Sequence, residues 1–504
     1  MAEVLRSVTL RARENGAGVA YVGAADGRDL TWRALAHYAS GLRALGRERR
    51  LPPRARIGIV AGDPLAFAAV YLGVLAAGLT AAPIDPRLTP AELGATADRL
   101  RLDVLVSDCP AELPPLPAAE LWDAGGDRPA VLRWGGRGGS GAWPSSGAAI
   151  RPAVLLTSSG TTGRPKGIGL SEWQLLHAAR RVAGHHRLGP GERGYNPLPL
   201  FHVNAQVMGL LATLVGGGSL VLDRRFEADA YWERVARWSP TWLNTVPAVL
   251  AALAGRPAPP ARVTDRIRFA RSASAPLPAA TQRAFTGVTG VTVLETYGMT
   301  EAAGQITANP LEVARRREGS VGLPVEVGLA VLGPGGRPAG PGELGMVALR
   351  GRQVAARYLD AGDDGTERAR PARDASGWLP TGDLGVRDED GFVHLSGRAD
   401  DVINRGGEKI FPQEVENVLL GHPAVRSAAV VAAPHERLGQ VPVALVTVDP
   451  AAARSGDLVA ALHELCARRL ARYKRPAGID IAAALPTGPT GKVLRRRVRE
   501  ELAR

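Results

Sequence analysis

LLTSSGTTGRPKGIG, residues 155–169, joins the end of an apolar run to a loop of small polar residues. The run begins at Ala153 and has the length of a buried strand. The serines, threonines and glycines after it leave hydroxyls and backbone N–H groups free to surround phosphate oxygens, and Lys166 adds a cation. There is no Gly-Lys-Ser/Thr of a Walker A loop. We therefore interpret the segment as another kind of phosphate-binding loop rather than as a plain turn.

Strand and helix patterns alternate around this loop. Buried strands are predicted at Arg54–Val60, Asp103–Ser107, Ala153–Thr157 and Ser219–Leu222, and helices at Leu30–Leu45 and Ala228–Arg237. Such alternation predicts an α/β fold with doubly wound parallel sheets. The Gly- and Arg-rich residues 124–147 are predicted to form a surface loop.

Residues 64–84 carry no charge and are long enough to span a bilayer. They are rich in Ala and Gly, have Pro near both ends and are interrupted at Gly78. We predict a buried helix followed by a buried strand, with a membrane span as the alternative. The N-terminus lacks an apolar segment of signal-peptide length, so we expect a cytoplasmic protein without stable membrane insertion.

The pattern changes twice further along the chain. From about residue 320 to 397 it is β-rich, with strands predicted at Val325–Leu332, Gly345–Arg350 and Gly391–Leu395. The last hundred residues predict a small α+β unit, with strands Val425–Ala433 and Val441–Val448 and helices Asp457–Leu470 and Gly491–Leu502. We predict two domains, residues 1–397, which include the β-rich subdomain, and residues 398–504.

The chain has 62 basic and 49 acidic residues, a net charge of +13, which raises nucleic acid as a partner. The cations are spread along the chain and aromatic residues make up only 5%, which disfavours that class. Only four cations are lysines: Lys166, Lys409, Lys474 and Lys492. A compact ammonium fits where a planar guanidinium does not, so these positions are candidates for a site. Two cysteines without a CxxC pair exclude a zinc ribbon or a disulfide scaffold.

Four more motifs lie downstream, and the first two are weakly specific alone. They are ETYGMTE at 295–301, TGDLG at 381–385, GRADDVINRGGEKIFPQEVE at 397–416 and LPTGPTGKVLRR at 485–496. The first offers an aromatic ring and a carboxylate suited to Mg²⁺. Together, in this order, the five motifs resemble the adenylate-forming superfamily of acyl-CoA synthetases, adenylation domains and luciferases. PLPLFHVN, RSASAPLP and INRGGEKI resemble the acyl-CoA synthetases, including those that activate oxalate.

The resemblance implies that an acid attacks the α-phosphate of ATP and displaces pyrophosphate, and that a thiol then attacks the acyl carbon of the acyl-adenylate and releases AMP. Lys492, Lys166, Thr300, Glu301 and His202 would be the catalytic residues, and Glu301 would hold Mg²⁺. The resemblance assigns ATP binding to a larger set: Thr157, Ser158, Ser159, Gly160, Thr161, Thr162, Gly163, Lys166, Ala273, Ser274, Ala275, Pro276, Thr296, Tyr297, Gly298, Met299, Thr300, Asp383, Arg398 and Lys492.

The second half-reaction would use the C-terminal domain, which the resemblance implies is mobile. Asp400 matches the hinge position of the family. Gly406, Gly407, Lys409 and Lys474 fall in the region that would receive the thiol. We expect that thiol to be coenzyme A, which makes the protein an acid–CoA ligase; the phosphopantetheine of an acyl carrier protein is the alternative, and the GGEKI segment serves either.

His202 bears on the acid substrate. Amino-acid-activating relatives commonly have Asp after the equivalent of Phe201, to pair the substrate ammonium. Histidine there would leave the ammonium unpaired, so an α-amino acid is disfavoured; a packed core histidine is the alternative reading. The predicted acid pocket comprises His202, Val203, Asn204, Val207, Ser272, Ser274, Gly298 and Met299. Its polar members favour a short or oxygenated acid, with an aromatic carboxylate as the alternative.

Overall fold

The computed structural model describes residues 2–48, 50–108, 121–122, 130–133, 152–158, 166–361, 367–449, 457–488 and 492–503. Four sheets organise these residues, and the predicted α/β fold with a separate α+β C-terminal region is confirmed. The predicted boundary between residues 397 and 398 stays a prediction. It falls beside Arg398, which ends a strand.

The first nine-stranded sheet has the order β16-β15-β14-β13-β12-β10-β11-β1-β2. Its six central strands are parallel, whereas β2, β15 and β16 add antiparallel edges. The strands are β1 (Val19–Gly23), β2 (Asp29–Thr31), β10 (Arg193–Asn196), β11 (Ser219–Leu222), β12 (Trp242–Thr245), β13 (Phe269–Ser272), β14 (Val293–Met299), β15 (Gly304–Ala308) and β16 (Leu323–Pro324).

The second nine-stranded sheet has the order β20-β19-β9-β8-β4-β3-β5-β7-β6. Strands β8, β4, β3 and β5 are parallel, and both flanks are antiparallel. Its strands are β3 (Arg56–Val60), β4 (Thr80–Pro83), β5 (Val104–Ser107), β6 (Leu121–Trp122), β7 (Ala130–Arg133), β8 (Val154–Ser158), β9 (Lys166–Leu170), β19 (Arg357–Ala361) and β20 (Glu367–Pro371).

The two smaller sheets follow in sequence. A four-stranded antiparallel sheet contains β17 (Gly328–Leu332), β18 (Gly345–Arg350), β21 (Leu379–Arg387) and β22 (Val393–Arg398). The C-terminal sheet contains β23 (Ile403–Arg405), β24 (Glu408–Ile410), β25 (Val425–His435), β26 (Gly439–Val448) and β27 (Gly478–Ile481).

Helices cover the sheets and supply the layers between them. They are α1 (Glu3–Asn15), α2 (Trp32–Glu48), α3 (Pro64–Ala76), α4 (Pro90–Leu100), α5 (Glu172–His186), α6 (Ala212–Gly216), α7 (Tyr231–Trp238), α8 (Pro247–Ala254), α9 (Ala261–Thr264), α10 (Ala279–Thr289), α11 (Pro412–Leu419), α12 (Leu458–Arg469) and α13 (Arg495–Leu502). A π-helix, Asn204–Leu211, runs directly into α6.

Residues 64–84 form a buried helix and strand, as predicted. Pro64 opens α3, and the side chain of Asp63 caps it by accepting from Ala66 N at 2.8 Å. The helix is apolar all round because it is buried on nearly every side, and β4 follows. The membrane-span alternative is therefore wrong. Within the described ranges, no helix combines the length and apolar character needed to cross a bilayer.

Two sequence predictions need correction. The sheets around the phosphate loop are mixed rather than wholly parallel, because hairpins and returning strands extend their edges. Residues 124–147 are not all loop: Ala130–Arg133 form β7, antiparallel to β5, because a short apolar run interrupts the Gly- and Arg-rich composition. The rest of that segment lies outside the described residues.

Candidate active site

The predicted phosphate loop connects two paired strands. Strands β8 and β9 are antiparallel, with Thr157 opposite Gly167 and Ser158 opposite Lys166. Thr157 is exposed at the end of β8. The predicted phosphate ligands Ser159, Gly160, Thr161, Thr162 and Gly163 lie outside the described residues. The pairing holds Lys166 at the base of this loop, at the edge where the strand meets it.

Lys166 and Glu301 meet at one aromatic ring. The Lys166 ammonium lies 5.2 Å from the centre of the Tyr358 ring, and Tyr358 Oη donates to Glu301 Oε1 at 3.2 Å. Antiparallel pairing of β19 with β9 places Tyr358 opposite Ile168. A cation over an aromatic face is attracted by the ring quadrupole. The structure thus joins two predicted catalytic residues through a third residue that no motif identified.

Glu301 is a buried carboxyl on the 3-10 helix Thr300–Ala302, which follows β14. Burial raises its pKa, whereas the Tyr358 hydroxyl and the charges of Lys166 and Arg398 lower it. The neighbouring backbone is held as well, since Ala355 N donates to Glu301 O at 2.6 Å. A desolvated carboxylate with adjacent cations has the chemistry of a hard oxygen ligand beside phosphates.

A second cluster forms around Asp383. The Tyr297 hydroxyl donates to Asp383 Oδ2, and Arg398 Nη1 donates to Asp383 Oδ1 at 3.1 Å. Arg398 also donates to Thr381 O at 2.8 Å. Residues 383 and 398 are opposite one another in β21 and β22. Three predicted ATP-binding residues are therefore in direct contact.

The polar members of the predicted acid pocket come from three elements. Asn204 begins the π-helix, and its Nδ2 donates to Oγ of Ser274, which follows β13. Strand β15 lies between two apolar members of the predicted pocket. Gly304 of this strand pairs with Met299, and a side chain at Gly304 would contact Val207 and its neighbour Met208. Gly298 packs so closely on Gly304 O that a Cβ would lie 2.3 Å from that oxygen. Ser272 is fully buried, and its hydroxyl has no partner among the described residues.

His202 lies just before the π-helix and packs against the ring of Phe201, with the ring centres 4.4 Å apart and the planes tilted by 49°. Burial lowers the pKa of His202 to about 4. The positive charge of Arg87 lowers this pKa further, whereas the negative charge of Asp85 raises it. The imidazole is therefore neutral at neutral pH. Its Nε2 is buried and has no hydrogen-bond partner among the described residues.

The predicted adenine segment Ala273, Ser274, Ala275 and Pro276 follows β13 as an irregular turn. Ser274 has φ 75°, in the left-handed region, and its side chain is exposed. Thr296, on the adjacent strand β14, donates to Ser272 O at 3.3 Å. Next to it, Glu295 is 8% exposed, and burial raises its pKa to about 8.

The C-terminal candidates occupy separate places. Asp400 is exposed, 4.0 Å from Arg398. Gly406 and Gly407, with φ 58° and 96°, turn between β23 and β24, and Lys409 is exposed on β24. Lys474 makes a two-pronged ion pair with Glu414 of α11, at 2.7 and 2.8 Å. The pair raises the pKa of Lys474 and ties it to the C-terminal unit.

Lys492 is not brought to the other site residues. It is exposed, and its carbonyl accepts from Gly488 N at 2.8 Å. In the described part of the chain, no hydrogen bond or ion pair joins its side chain to the cluster of Lys166 and Glu301.

Comparison with known proteins decides the family. The model of the AMP-binding enzymes matches residues 8–359, and that of the AMP-binding enzyme C-terminal domain matches residues 414–492. The chain belongs to the AMP-binding enzymes. The adenylate-forming ligase indicated by the sequence motifs is thereby confirmed.

Relatives of this AMP-binding enzyme include a sulfoacetate–CoA ligase of Cupriavidus necator, 41% identical over 85% of this chain and 84% of that protein. An oxalate–CoA ligase of Arabidopsis thaliana is 32% identical over 87% of this chain and 88% of its own. The crystal structure of ATP-bound MatB from Rhodopseudomonas palustris aligns with a TM-score of 0.84 at 25% identity, covering 99% and 98% of the two chains.

Two residues of this AMP-binding enzyme that contact predicted site residues were missed by sequence reasoning. Tyr358 lies in no motif, and only the pairing of β19 with β9 reveals it. Arg271 stands first in RSASAPLP, but nothing in one sequence shows that its side chain is 2% exposed.

Proposed function

We propose that this AMP-binding enzyme activates a short, oxygen-rich carboxylic acid with ATP and Mg²⁺, and transfers the acyl group from the adenylate to coenzyme A. The observation that carries the proposal is the convergence of Lys166 and Glu301 on Tyr358. It sets a cation and a hard carboxylate ligand at the base of the predicted phosphate loop.

In the first half-reaction two anions must approach one another, which requires charge neutralisation and alignment. Lys166 and the loop from Thr157 would bind the β- and γ-phosphates, and Thr300 the α-phosphate. Asp383, held by Arg398 and Tyr297, would accept from the ribose hydroxyls. Lys492 would then bridge the acid carboxylate and the α-phosphate after movement of the C-terminal region.

The donor set fits Mg²⁺. This ion prefers one or two carboxylates together with phosphate oxygens and water, and Glu301 offers one such carboxylate, with its Oε1 already held by Tyr358. Bound there, the ion would neutralise charge developing on the phosphates. Glu301 would hold the ligand oxygen, and the hydrogen bond from Tyr358 orients the carboxylate and lowers the pKa that burial raises.

The second half-reaction would use the C-terminal region. Asp400 would serve as the hinge, and Gly406, Gly407 and Lys409 would approach the adenylate. Lys474 would have a supporting role, since Glu414 already binds its ammonium. The named CoA ligases among the relatives favour coenzyme A over a carrier-protein phosphopantetheine as the acceptor.

The acid is inferred from the pocket. Neutral His202 offers no anion for a substrate ammonium, which argues against an α-amino acid. Asn204 and Ser274 offer hydrogen bonds, which suit oxygen-bearing acids. Sulfoacetate and oxalate, named for two relatives, are short acids of this kind.

The test is a panel of short polar, aromatic, fatty and α-amino acids, each with ATP, Mg²⁺ and coenzyme A. We expect pyrophosphate and AMP with short polar acids. Replacing coenzyme A by a phosphopantetheinylated carrier protein should reduce thioester formation. Faster loading of the carrier protein would overturn the acceptor assignment, and activity confined to α-amino acids would overturn the pocket assignment.

A further inference from the structure

Arg271 is a buried cation without an acidic partner in the described part of the chain. Alternation along β13 directs it to the face shared with Phe269, and it is 2% exposed. Its Nη1 donates to Asn204 Oδ1 at 2.9 Å and to Asn244 Oδ1 at 3.0 Å. Its buried Nε has no partner among the described residues. Neutral amide oxygens alone compensate a charge that is costly to bury.

Arg316 shows how this chain binds a half-buried arginine that lies outside the candidate site. Its Nε, Nη1 and Nη2 donate to the backbone carbonyls of Pro310, Val293 and Leu311, at 3.1, 2.9 and 2.7 Å. All three of its nitrogens therefore have partners. Arg271 differs in the kind of partner, because its Nη1 donates to two side-chain amides rather than to backbone carbonyls.

A chain of polar groups connects Arg271 to the acid pocket. Asn204 accepts from Arg271 and donates to exposed Ser274, at 3.0 Å. Asn244, the second acceptor, is fixed in turn because its Nδ2 donates to Asn196 Oδ1 at 2.8 Å. The amides thus orient the guanidinium from one side and connect it with the pocket opening.

Resting on the proposed function, we propose that Arg271 is a specificity residue that binds a second anionic group on the acid substrate, at the end away from the carboxylate that is activated. A planar guanidinium matches a carboxylate or a sulfonate with two parallel hydrogen bonds. The substrate class is then a short acid with two acidic groups. Burial lowers the pKa of Arg271 to about 9, so the cation is present at neutral pH.

The first test uses the wild-type enzyme and needs no variant. Pyrophosphate release is compared for malonate against monomethyl malonate, and for sulfoacetate against propionate, which separates the carboxylate and sulfonate forms of the class. We expect kcat/KM to be at least about 100-fold higher for one of the dianions than for its monoanionic match. Comparable values would overturn the proposal but leave the proposed function standing. If no acid of any class supports pyrophosphate release, the proposed function is overturned as well.

The variants Arg271→Met and Arg271→Lys then test whether the preference for the dianion over the monoanion depends on Arg271. The Met variant should lose about 100-fold in kcat/KM for the dianion, mainly through KM, and keep its KM for ATP and its rate with the monoanion. The Lys variant should recover part of the loss. Arg316→Met is the matched control: it should lower the unfolding midpoint without changing the ratio between the two acids. An equal change of that ratio in both Met variants would show that Arg271 is only structural.

Discussion

Arg495 Nε lies 3.3 Å from Asp401 Oδ2, which ties helix α13 to the residue after the proposed hinge. Arg495 Nη1 also lies 2.7 Å from Glu416 Oε1, and donates to Val430 O. Because Lys492 is three residues before Arg495, its turn is anchored to the segment about which the C-terminal region would rotate.

Arg495→Met should leave the largely buried Glu416 carboxylate without a cation, with Val430 N–H as its remaining donor, and cost about 3 kcal/mol. We expect a lower unfolding midpoint and slower adenylate formation, because the turn of Lys492 loses its anchor. The double variant with Glu416→Met should recover part of the midpoint. Calorimetry and pyrophosphate release measure the two effects; simple addition of the two single losses would contradict the pairing.

Tyr358→Phe should keep the ring under Lys166 but remove the hydroxyl that donates to Glu301. Loss of a hydrogen bond to the ionised form raises the pKa of Glu301, so the acid limb of the pH–rate profile should move to higher pH. The profile is measured at limiting and saturating Mg²⁺. Tyr358→Leu, which also removes the ring, should lower the rate further. An acid limb that stays in place in Tyr358→Phe would refute the role of the hydroxyl.

Lys492→Ala should reduce adenylate formation by on the order of 100-fold or more, because the acid and the α-phosphate would lose their shared cation. Thioester formation from a supplied acyl-adenylate should be nearly unchanged. Arg496→Ala is a neighbouring control, since that side chain is exposed and pairs only with Glu500 among the described residues. Equal losses in both half-reactions would show that the role is assigned wrongly.

Asp400→Pro should spare adenylate formation and block thioester formation, because a proline ring restricts the backbone rotation that the hinge requires. Asp400→Ala removes only an exposed carboxylate 4.0 Å from Arg398 and should retain both steps. The two half-reactions are assayed separately. Normal overall turnover of the proline variant would place the hinge elsewhere.

Glu295→Gln tests a pH dependence of stability. Burial holds the pKa of Glu295 at about 8, above its ordinary 4.5, so the folded state keeps a proton that the unfolded state releases between those values. The contribution of Glu295 to the free energy of unfolding therefore decreases as the pH rises from 4.5 to 8, by at most about 5 kcal/mol. The unfolding midpoint of Glu295→Gln should fall less between pH 5 and 8 than that of wild type. Exposed Glu389→Gln is the control and should follow wild type.

The sequence motifs predicted the local structure better than the sheet partners. The apolar run at 219–222 gave strand β11 with its observed bounds, and the uncharged residues 64–84 gave a helix and a strand, because burial dictates both patterns. The antiparallel pairing of β9 with β19 joins residues almost two hundred positions apart, and only tertiary packing selects it. Tyr358 escaped prediction for that reason.

The ionic partners of charged residues could not be predicted from the sequence for the same reason. Lys474 belongs to a motif segment, but its bidentate pair with Glu414 depends on how α11 packs. Arg271 was quoted among the motif residues without a role, because one arginine among 58 shows its isolation from carboxylates only in three dimensions.

The π-helix at Asn204–Leu211 has a consequence for how such a site diversifies. A π-turn contains about one residue more than an α-turn, and each residue of an α-helix rotates the chain by about 100°. Deleting one residue between positions 205 and 208 would let the segment relax to an α-helix. The side chain of Asn204 would then rotate away and lose its hydrogen bonds with Arg271 and Ser274. A single codon lost from the gene would then change the acid profile while ATP binding persists, so length variation in this helix offers evolution a route to new substrates.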